Sequence, residues 1–438
     1  MNRMVQTLGA GVLMLVVALA TASSDTQAQP TESLTQSCGT ESGTGCAPSS
    51  ARIDLAVPVF TDPTRVDNPW NPIGELPSVL MVGTVDGKPF RTEVTLLPDT
   101  KVIDWPATPT TALVSQYVAF VDGRIEETAF DWYAQADDGG LWYLGEDVSN
   151  YEDGVVADTE GSWTAGIEGP GGLITPADPQ VGQVYRPENI PGLVFEEVTV
   201  SETGRTVDGP MGPVERAFDV SELHQDQTTE VKTFAPGYGE FFTSDGTDVE
   251  ALALAVPTDS ATGTMPAELE QLTAAALAAL DAIGAGDWAA AGRHEEAIRG
   301  AWTALDPAVT PRLIAPVVDD ALERLAQGIA DQDAVVAGRA AIELARSAGD
   351  IELRFVPPYT IDQARFGLHA REVVLDAAAD DAAGVLADTT AMELTFPRFA
   401  HTLGDADRSR LEAALADLRT AADAEDLASA ARTATSLR

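Results

Sequence analysis

The spacing of apolar positions changes once along the chain. From about residue 52 to 256, apolar and aromatic side chains alternate with polar ones in short runs that Asp-Gly pairs separate. A two-residue period with Asp-Gly turns is typical of β-hairpins. Beyond Pro266 the period lengthens to three or four residues, as in Leu269, Leu272 and Ala276, which is the spacing of one helix face. The pattern predicts an α+β protein of two domains.

The first domain, residues 52–256, is predicted to be an antiparallel β meander. Residues 116–120 and 125–133 flank Asp122-Gly123, and a third run follows at 141–144. So many consecutive hairpins favour a strongly curved sheet or a barrel. The composition of residues 257–266 predicts a linker.

The second domain, residues 267–438, is predicted to be an all-α bundle of helical hairpins. Asp287, Asp333, Asp381 and Asp426 each lie in a short polar break between Ala-rich segments, at intervals of 46, 48 and 45 residues. An aspartate at such a break accepts hydrogen bonds from the first N–H groups of the next helix. We therefore expect four hairpins and about eight helices, and the weak similarity of the four units leaves a true repeat open.

The N-terminus predicts export. Arg3 precedes an apolar run of 15 residues, 8–22, that ends in the small-residue pattern Ala20-Thr21-Ala22. We expect residues 1–22 to be a signal peptide cleaved near Ala22. An uncleaved N-terminal anchor is the alternative, although a membrane-spanning helix needs about 20 apolar residues. The expected location is secreted or extracytoplasmic, in the cell envelope or periplasm.

The segment after the leader, residues 23–51, is predicted to be a disordered spacer. It is rich in Ser, Thr, Gln, Gly and Pro and shows no apolar period. It contains both cysteines of the chain, Cys38 and Cys46. Two cysteines in an exported protein usually pair, so we expect a disulfide bond between them.

The composition is strongly acidic and limits the partners. The chain has 69 acidic and 26 basic residues, a formal net charge of −43. A field of that sign repels phosphate backbones and anionic lipid headgroups, so we expect neither nucleic acid binding nor direct binding to anionic membranes. An envelope protein or a small ligand remains as the expected partner.

The histidines offer one candidate metal or haem site. His294, His369 and His401 all fall in the helical domain, with Glu372 three residues after His369, and the fourth histidine, His224, lies in the β domain. Facing helices of a bundle can hold a transition metal or haem through such side chains. The competing interpretation is that each histidine is an ordinary surface or core residue, with no cofactor.

The β domain offers a candidate ligand pocket. Trp132, Trp142, Tyr143 and Trp163 lie on or near paired runs, and a curved sheet lined by them could hold an apolar ligand. A filled aromatic core is the alternative. Calcium binding by Asp137, Asp138, Glu146 and Asp147 is a further possibility, against ordinary turn chemistry.

No catalytic residues are predicted. The serines lack a GxSxG elbow, no glycine-rich phosphate loop precedes a helix, and carboxylate pairs carry no information in so acidic a chain. Enzymatic activity is left open. The sequence favours an extracytoplasmic envelope protein with a non-enzymatic binding or structural role, and a metal- or haem-binding envelope protein is the alternative.

One segment also resembles a known group of proteins. Residues 131–163 contain DWYAQ, WYLGED and GSW, and VGQVYR at 181–186 and FAPGYG at 234–239 follow. These strings resemble those of a bacterial exported or lipoprotein-type family without a known function, over roughly residues 80–256. The helical part is similar to an actinobacterial-type extension. The resemblance implies an exported β domain and implies no active site, and the missing lipoprotein cysteine departs from the lipid-anchored members.

Overall fold

The computed structural model describes residues 37–438. The predicted signal peptide and the first part of the predicted spacer, residues 23–36, lie outside the described residues. Within the described part, the α+β architecture is confirmed, with strands up to Val256 and helices from Ala267 onward.

The first half of the described chain forms one antiparallel sheet of 14 strands. The strands are β1 (Ser78–Val85), β2 (Lys88–Ile103), β3 (Thr110–Val121), β4 (Arg124–Gln135), β5 (Leu141–Glu152), β6 (Val155–Asp158), β7 (Trp163–Thr164), β8 (Gly172–Thr175), β9 (Val184–Ile190), β10 (Val194–Gly209), β11 (Gly212–His224), β12 (Thr229–Ala235), β13 (Gly239–Ser244) and β14 (Val249–Val256). Their hydrogen-bonded order is β6-β5-β4-β3-β2-β1-β14-β13-β12-β11-β10-β9, and β7 and β8 both pair with β5.

The sheet closes on itself where β8 meets β9. A Cβ atom on Gly172 would lie 1.9 Å from the carbonyl oxygen of Pro187, so the two backbones are in direct contact and only glycine fits. Because β8 is hydrogen-bonded to β5, this contact joins β9, one end of the strand order, to β5, next to the other end. The sheet therefore forms a barrel around an internal cavity.

The outer edge of β9 is covered by the chain that precedes the first strand. The Ile53 amide donates to the Val184 carbonyl at 2.9 Å, and the Arg186 amide donates to the Asp54 carboxylate at 3.0 Å. Arg52 and Asp54 are themselves an ion pair at 2.5 Å, buried at both ends. The segment fills hydrogen-bonding positions that an edge strand would otherwise expose.

The predicted spacer is ordered over its described part, residues 37–51. Gly39 and Thr40 are buried, the Ala47 amide donates to Glu197 at 2.7 Å, and Arg186 donates to the Ser37 carbonyl at 2.8 Å. The expectation of disorder is therefore corrected here, because buried backbone and charged groups of the barrel supply partners that composition does not reveal. The Cys38–Cys46 disulfide is confirmed.

The second half forms eight helices arranged as consecutive hairpins. They are α1 (Ala267–Gly284), α2 (Trp288–Ala304), α3 (Ala315–Asp331), α4 (Ala334–Glu352), α5 (Pro358–Ala378), α6 (Ala382–Ala400), α7 (Asp405–Asp423) and α8 (Leu427–Thr435). Asp287, Asp333, Asp381 and Asp426 are the N-caps of α2, α4, α6 and α8, and each carboxylate accepts a backbone N–H of the first turn. The predicted capping role is confirmed at all four positions.

The helices pack directly on the outside of the barrel. Leu80 and Leu254 share one apolar cluster with Leu269 and Leu272 of α1, and Phe120 of β3 packs with Ala387 of α6. The outer face of the sheet is thus a second buried surface. Among residues 37–438, no helix combines the length and apolarity that crossing a membrane requires.

Buried ion pairs also link the two halves. The Glu93 carboxylate of β2 accepts from Arg398 of α6 at 2.6 Å and lies 3.4 Å from Arg365 of α5. Arg91 of β2 donates to Asp350 of α4 at 2.6 Å. Burial alone would raise the pKa of Glu93, but the surrounding guanidinium groups hold it well below its usual range. The interface therefore keeps these groups charged although they are largely buried.

Candidate functional site

The barrel encloses a cavity of about 200 Å³ whose wall is strongly acidic. Ligand sites for drug-sized molecules are usually roughly 300–1,000 Å³, so this cavity suits a smaller molecule or an ion. Nine carboxyl groups and a single amine line it. They are Glu127, Asp131, Glu146, Glu188, Glu196, Glu222, Glu230, Glu240, Glu250 and Lys232.

Strand alternation places these groups on the inner face. On β4, Glu127 and Asp131 are separated by four residues, so both point to the same side of the sheet. Glu222 on β11 pairs directly with Glu230 on β12, which sets two carboxyl groups side by side. Eight of the nine acidic side chains are buried, and only Glu240 is partly exposed. The acidity is thus a property of the interior and not of solvated turns.

Several polar atoms on this wall lack a hydrogen-bond partner. Among the described residues they include Glu127 Oε2, Glu230 Oε1 and the Tyr185 hydroxyl, whose side chains are 2%, 3% and 1% exposed. Leaving a buried polar atom unpaired costs about 1–3 kcal/mol, and more for a charged group. Water molecules, an ion or a ligand in the cavity would supply the missing partners.

Burial raises the pKa of most of the cavity acids. Desolvation and repulsion by Asp131 raise the pKa of Glu127 to about 8, and desolvation raises that of Asp131 to about 7. Burial likewise brings the pKa of Glu230 to about 8 and that of Glu250 to about 7. Near neutral pH these side chains are therefore partly protonated, and a cation in the cavity would favour their ionised forms.

Two local arrangements relieve part of the repulsion. Glu146 and Glu188 share a hydrogen bond between their carboxyl groups, and burial followed by their mutual repulsion raises the pKa of Glu146 well above its usual range. The Lys232 ammonium lies 2.7 Å from Glu222. Although burial would raise the pKa of Glu222, that contact lowers it. One ammonium against nine carboxyl groups leaves the cavity with a large acidic excess.

Tyrosines and apolar side chains complete the wall. Five tyrosines face the cavity, and the Tyr143 hydroxyl donates to Asp131 at 2.8 Å. Tyr143 also stacks on Tyr133, with ring centroids 5.1 Å apart. Aromatic faces beside carboxylates are the usual surroundings of a bound organic cation.

The predicted aromatic pocket is only partly on this cavity. Tyr143 lines the wall, whereas Trp132, Trp142 and Trp163 are 2–4% exposed and pack in the surrounding core. Trp163 touches the site indirectly, because its indole N–H donates to Glu188 at 2.7 Å. The other two tryptophans are filled core, which was the alternative interpretation.

The predicted histidine site does not assemble. His294 is half-buried on α2, His401 is exposed after α6, and neither joins a metal-compatible group among the described residues. His369 and Glu372 do come together, with Asp388 as a third member. The convergence expected from the sequence is corrected, because helical spacing says nothing about which hairpins face each other.

The His369 group is a buried ion cluster. His369 Nδ1 lies 2.9 Å from Glu372 and 3.3 Å from Asp388, and Arg346 donates to Glu372 at 2.8 Å. Burial opposes the charged imidazolium, but the two carboxylates raise the pKa of His369 to about 9. The metal-free ring is therefore a cation near neutral pH, and a metal ion would have to displace its proton to bind there.

The four residues considered for calcium binding do not come together either. Asp138 accepts from the Gly140 amide at 3.0 Å, and Asp137 binds the amide and hydroxyl of Thr61. Glu146 points into the barrel, while its neighbour Asp147 is exposed. Asp138 thus stabilises its own turn, as the alternative interpretation held, whereas Asp137 holds the distant Thr61.

The sequence contained a signal for the cavity that the initial interpretation missed. Acidic residues occur inside strands at spacings that place them on one face, as Glu127 and Asp131 do at a four-residue interval. Acidic residues are depleted from strands, so a repeated occurrence on one face is informative. No protein family among those compared matches the chain, and no curated protein matches it either.

Proposed function

We propose that the protein is an extracytoplasmic, non-enzymatic binding protein whose barrel holds a small organic cation. The observation that carries the proposal is the cavity wall, where nine carboxyl groups face one lysine and Glu127 keeps a buried, unpartnered oxygen. A positively charged ligand supplies the missing counter-charge and hydrogen-bond donors, and the tyrosines supply aromatic faces.

The location is supported separately. The Cys38–Cys46 disulfide is typical of proteins that leave the reducing cytosol. The predicted leader precedes the ordered chain at the expected place, although its residues lie outside the described ones. The resemblance to exported bacterial proteins through residues 131–163 is consistent with the same location and remains a prediction.

The test is calorimetric titration with putrescine, choline and tetramethylammonium. The matched control is 1,4-butanediol, which keeps the length of putrescine and replaces both ammonium groups with hydroxyls. We expect at least one of the cations to bind and the diol not to bind. The affinity should decrease as the pH falls from about 8 to about 5, because protons compete for the cavity carboxylates.

A double substitution identifies the site. Glu127→Gln together with Asp131→Asn keeps the shape of the wall and removes two carboxyl groups that can ionise, so at pH 8 it should weaken cation binding at least tenfold. The exposed pair Glu152→Gln and Asp147→Asn should leave binding unchanged. The proposal would be abandoned if the diol bound as tightly as putrescine, or if none of the three cations bound at millimolar concentration.

A further inference from the structure

At one end of the cavity, an imidazole and three carboxyl groups are gathered on paired strands. Glu196 on β10 pairs with His224 on β11, and Glu222 pairs with Glu230 on β12. His224 follows Glu222 by two residues, so both side chains lie on the inner face. One ligand atom each of Glu222, His224 and Glu230 lies within 4.8 Å of the others.

Three atoms of this group have no hydrogen-bond partner. Glu222 Oε2 still has the Lys232 ammonium at 2.7 Å, whereas His224 Nε2 and Glu230 Oε1, in residues that are 6% and 3% exposed, are unpartnered as well. A buried imidazole nitrogen beside an unpaired carboxyl oxygen is costly unless something bridges them. These unpartnered atoms indicate a bound ligand independently of the number of acidic residues in the group.

The spacing fits a single metal ion. His224 Nε2 lies 3.7 Å from Glu230 Oε2. Two ligand atoms bonded at about 2.1 Å to one tetrahedral zinc ion lie about 3.4 Å apart, so only a small adjustment is needed. A direct hydrogen bond between the same two atoms would be much shorter than the observed distance.

The second ring nitrogen of His224 faces another carboxyl group. On the other side of the ring, Nδ1 lies 3.6 Å from Glu196 Oε1. At this distance the two atoms are not hydrogen-bonded directly, and a small approach of Glu196 would let it accept the second N–H and orient the histidine, as carboxylates do beside metal-binding histidines.

Lys232 is the group that opposes a metal. Its ammonium lies 2.7 Å from Glu222 and 3.8 Å from Glu230, so it already neutralises part of the charge. A metal ion would share Glu222 with it and experience its repulsion. Removing this ammonium should therefore strengthen metal binding, a response that a purely structural role of the cluster does not predict.

The His369 cluster can be compared with the His224 group within the same protein. It has the same residue types, but His369 Nδ1 lies 2.9 Å from a carboxylate oxygen and the imidazole is protonated. In the His369 group the imidazole Nδ1 is hydrogen-bonded to Asp388 and Glu372 Oε2 is the unpartnered atom, whereas in the His224 group the imidazole Nε2 itself has no partner. The two clusters should thus respond differently to the same metal.

We propose that Glu222, His224 and Glu230 bind one divalent transition-metal ion of the zinc class, with Glu196 orienting the histidine. Imidazole and carboxylate ligands together suit such an ion. The site lies in the barrel and is distinct from the helical histidine site expected from the sequence. It does not depend on the organic-cation proposal, since the ion alone is the ligand.

The experiment is a titration of the metal-stripped mature protein with Zn²⁺ alone, with metal analysis after desalting. We expect one ion per chain, bound at least tenfold more weakly in His224→Gln and more tightly in Lys232→Met. His369→Gln is the matched control and should bind as the unsubstituted protein does. Circular dichroism establishes that each variant is folded, and Glu230→Gln replaces His224→Gln if the latter does not fold.

Other outcomes would overturn the site. Failure of the unsubstituted protein to retain Zn²⁺ would do so, as would equal binding by His224→Gln or Glu230→Gln. Loss of binding in His369→Gln, with His224→Gln unaffected, would move the centre to the helices. None of these results tests putrescine or choline binding, because that binding is measured without metal.

Discussion

At the scale of single residues, Glu127 shows how the barrel holds its acids. Its side chain is 2% exposed, one carboxyl oxygen has no partner, and burial raises its pKa to about 8. Because the folded-state pKa lies above the unfolded value of about 4.5, the group stabilises the fold most fully below about pH 4.5. That contribution is lost as the pH rises through about 8.

Glu127→Gln should therefore stabilise the empty protein in a pH-dependent way. The amide stays neutral, so the free energy of unfolding should increase by on the order of 2 kcal/mol at pH 8.5 and hardly change at pH 5. Urea unfolding at the two pH values measures the difference, with the exposed Glu152→Gln as control. A gain that is equal at both pH values would show that ionisation of Glu127 is not the cause.

At the scale of elements, the helices follow from local rules that the sequence displays. Asp333 is representative, because its carboxylate accepts from the Val335 and Val336 amides at 3.0 Å and starts α4. The four aspartates therefore marked the second helix of each hairpin correctly. The hydrophobic period and the turn residues were sufficient because both act within a few residues of the chain.

Asp333→Ala should remove this cap and lower the free energy of unfolding by about 1 kcal/mol. Asp333→Asn is the matched variant, since asparagine caps about as well, and it should retain most of the stability. Thermal or urea unfolding of the three proteins measures the effect. Equal losses in both variants would mean that the charge of Asp333, and not its hydrogen bonds, is what matters.

The strands were predictable as elements, but their inner face was not. Alternation separates two faces of β4, with Glu127 and Asp131 on one and Phe130 and Trp132 on the other. An ordinary sheet would bury the aromatic face and expose the acids. Here helices and loops cover the outside and the barrel encloses the acids, so both faces are buried. Which face of β4 lines the cavity depends on long-range packing, and the spacing of residues along the chain does not reveal it.

At the scale of the whole molecule, the barrel and the helices form one interlocked structure. The predicted boundary near residues 257–266 marks the change of secondary structure correctly, yet Glu93 of β2 depends on Arg398, some 300 residues later. Contacts of such sequence separation leave no local pattern. For the same reason, His294 and His401 could not be ruled out as partners of His369 before their hairpins were placed.

Breaking this link from one side should be costly. Arg398→Met leaves Glu93 with less compensation in a buried site, which we expect to lower the free energy of unfolding by about 3–5 kcal/mol. The double variant with Glu93→Gln should lose less than the sum of the two single losses, with a coupling energy of about 1–3 kcal/mol. Urea unfolding of the four proteins measures the cycle, and strict additivity would contradict the pairing.

The short segment Arg52–Asp54 affects how readily copies of the protein associate with one another. By occupying the border of β9, it denies other chains a template for strand addition, the route by which open sheets assemble into fibres. The segment that covers this border lies near the N-terminus, after the predicted leader and spacer. We expect a protein trimmed beyond Asp54 to expose this border and to self-associate more readily.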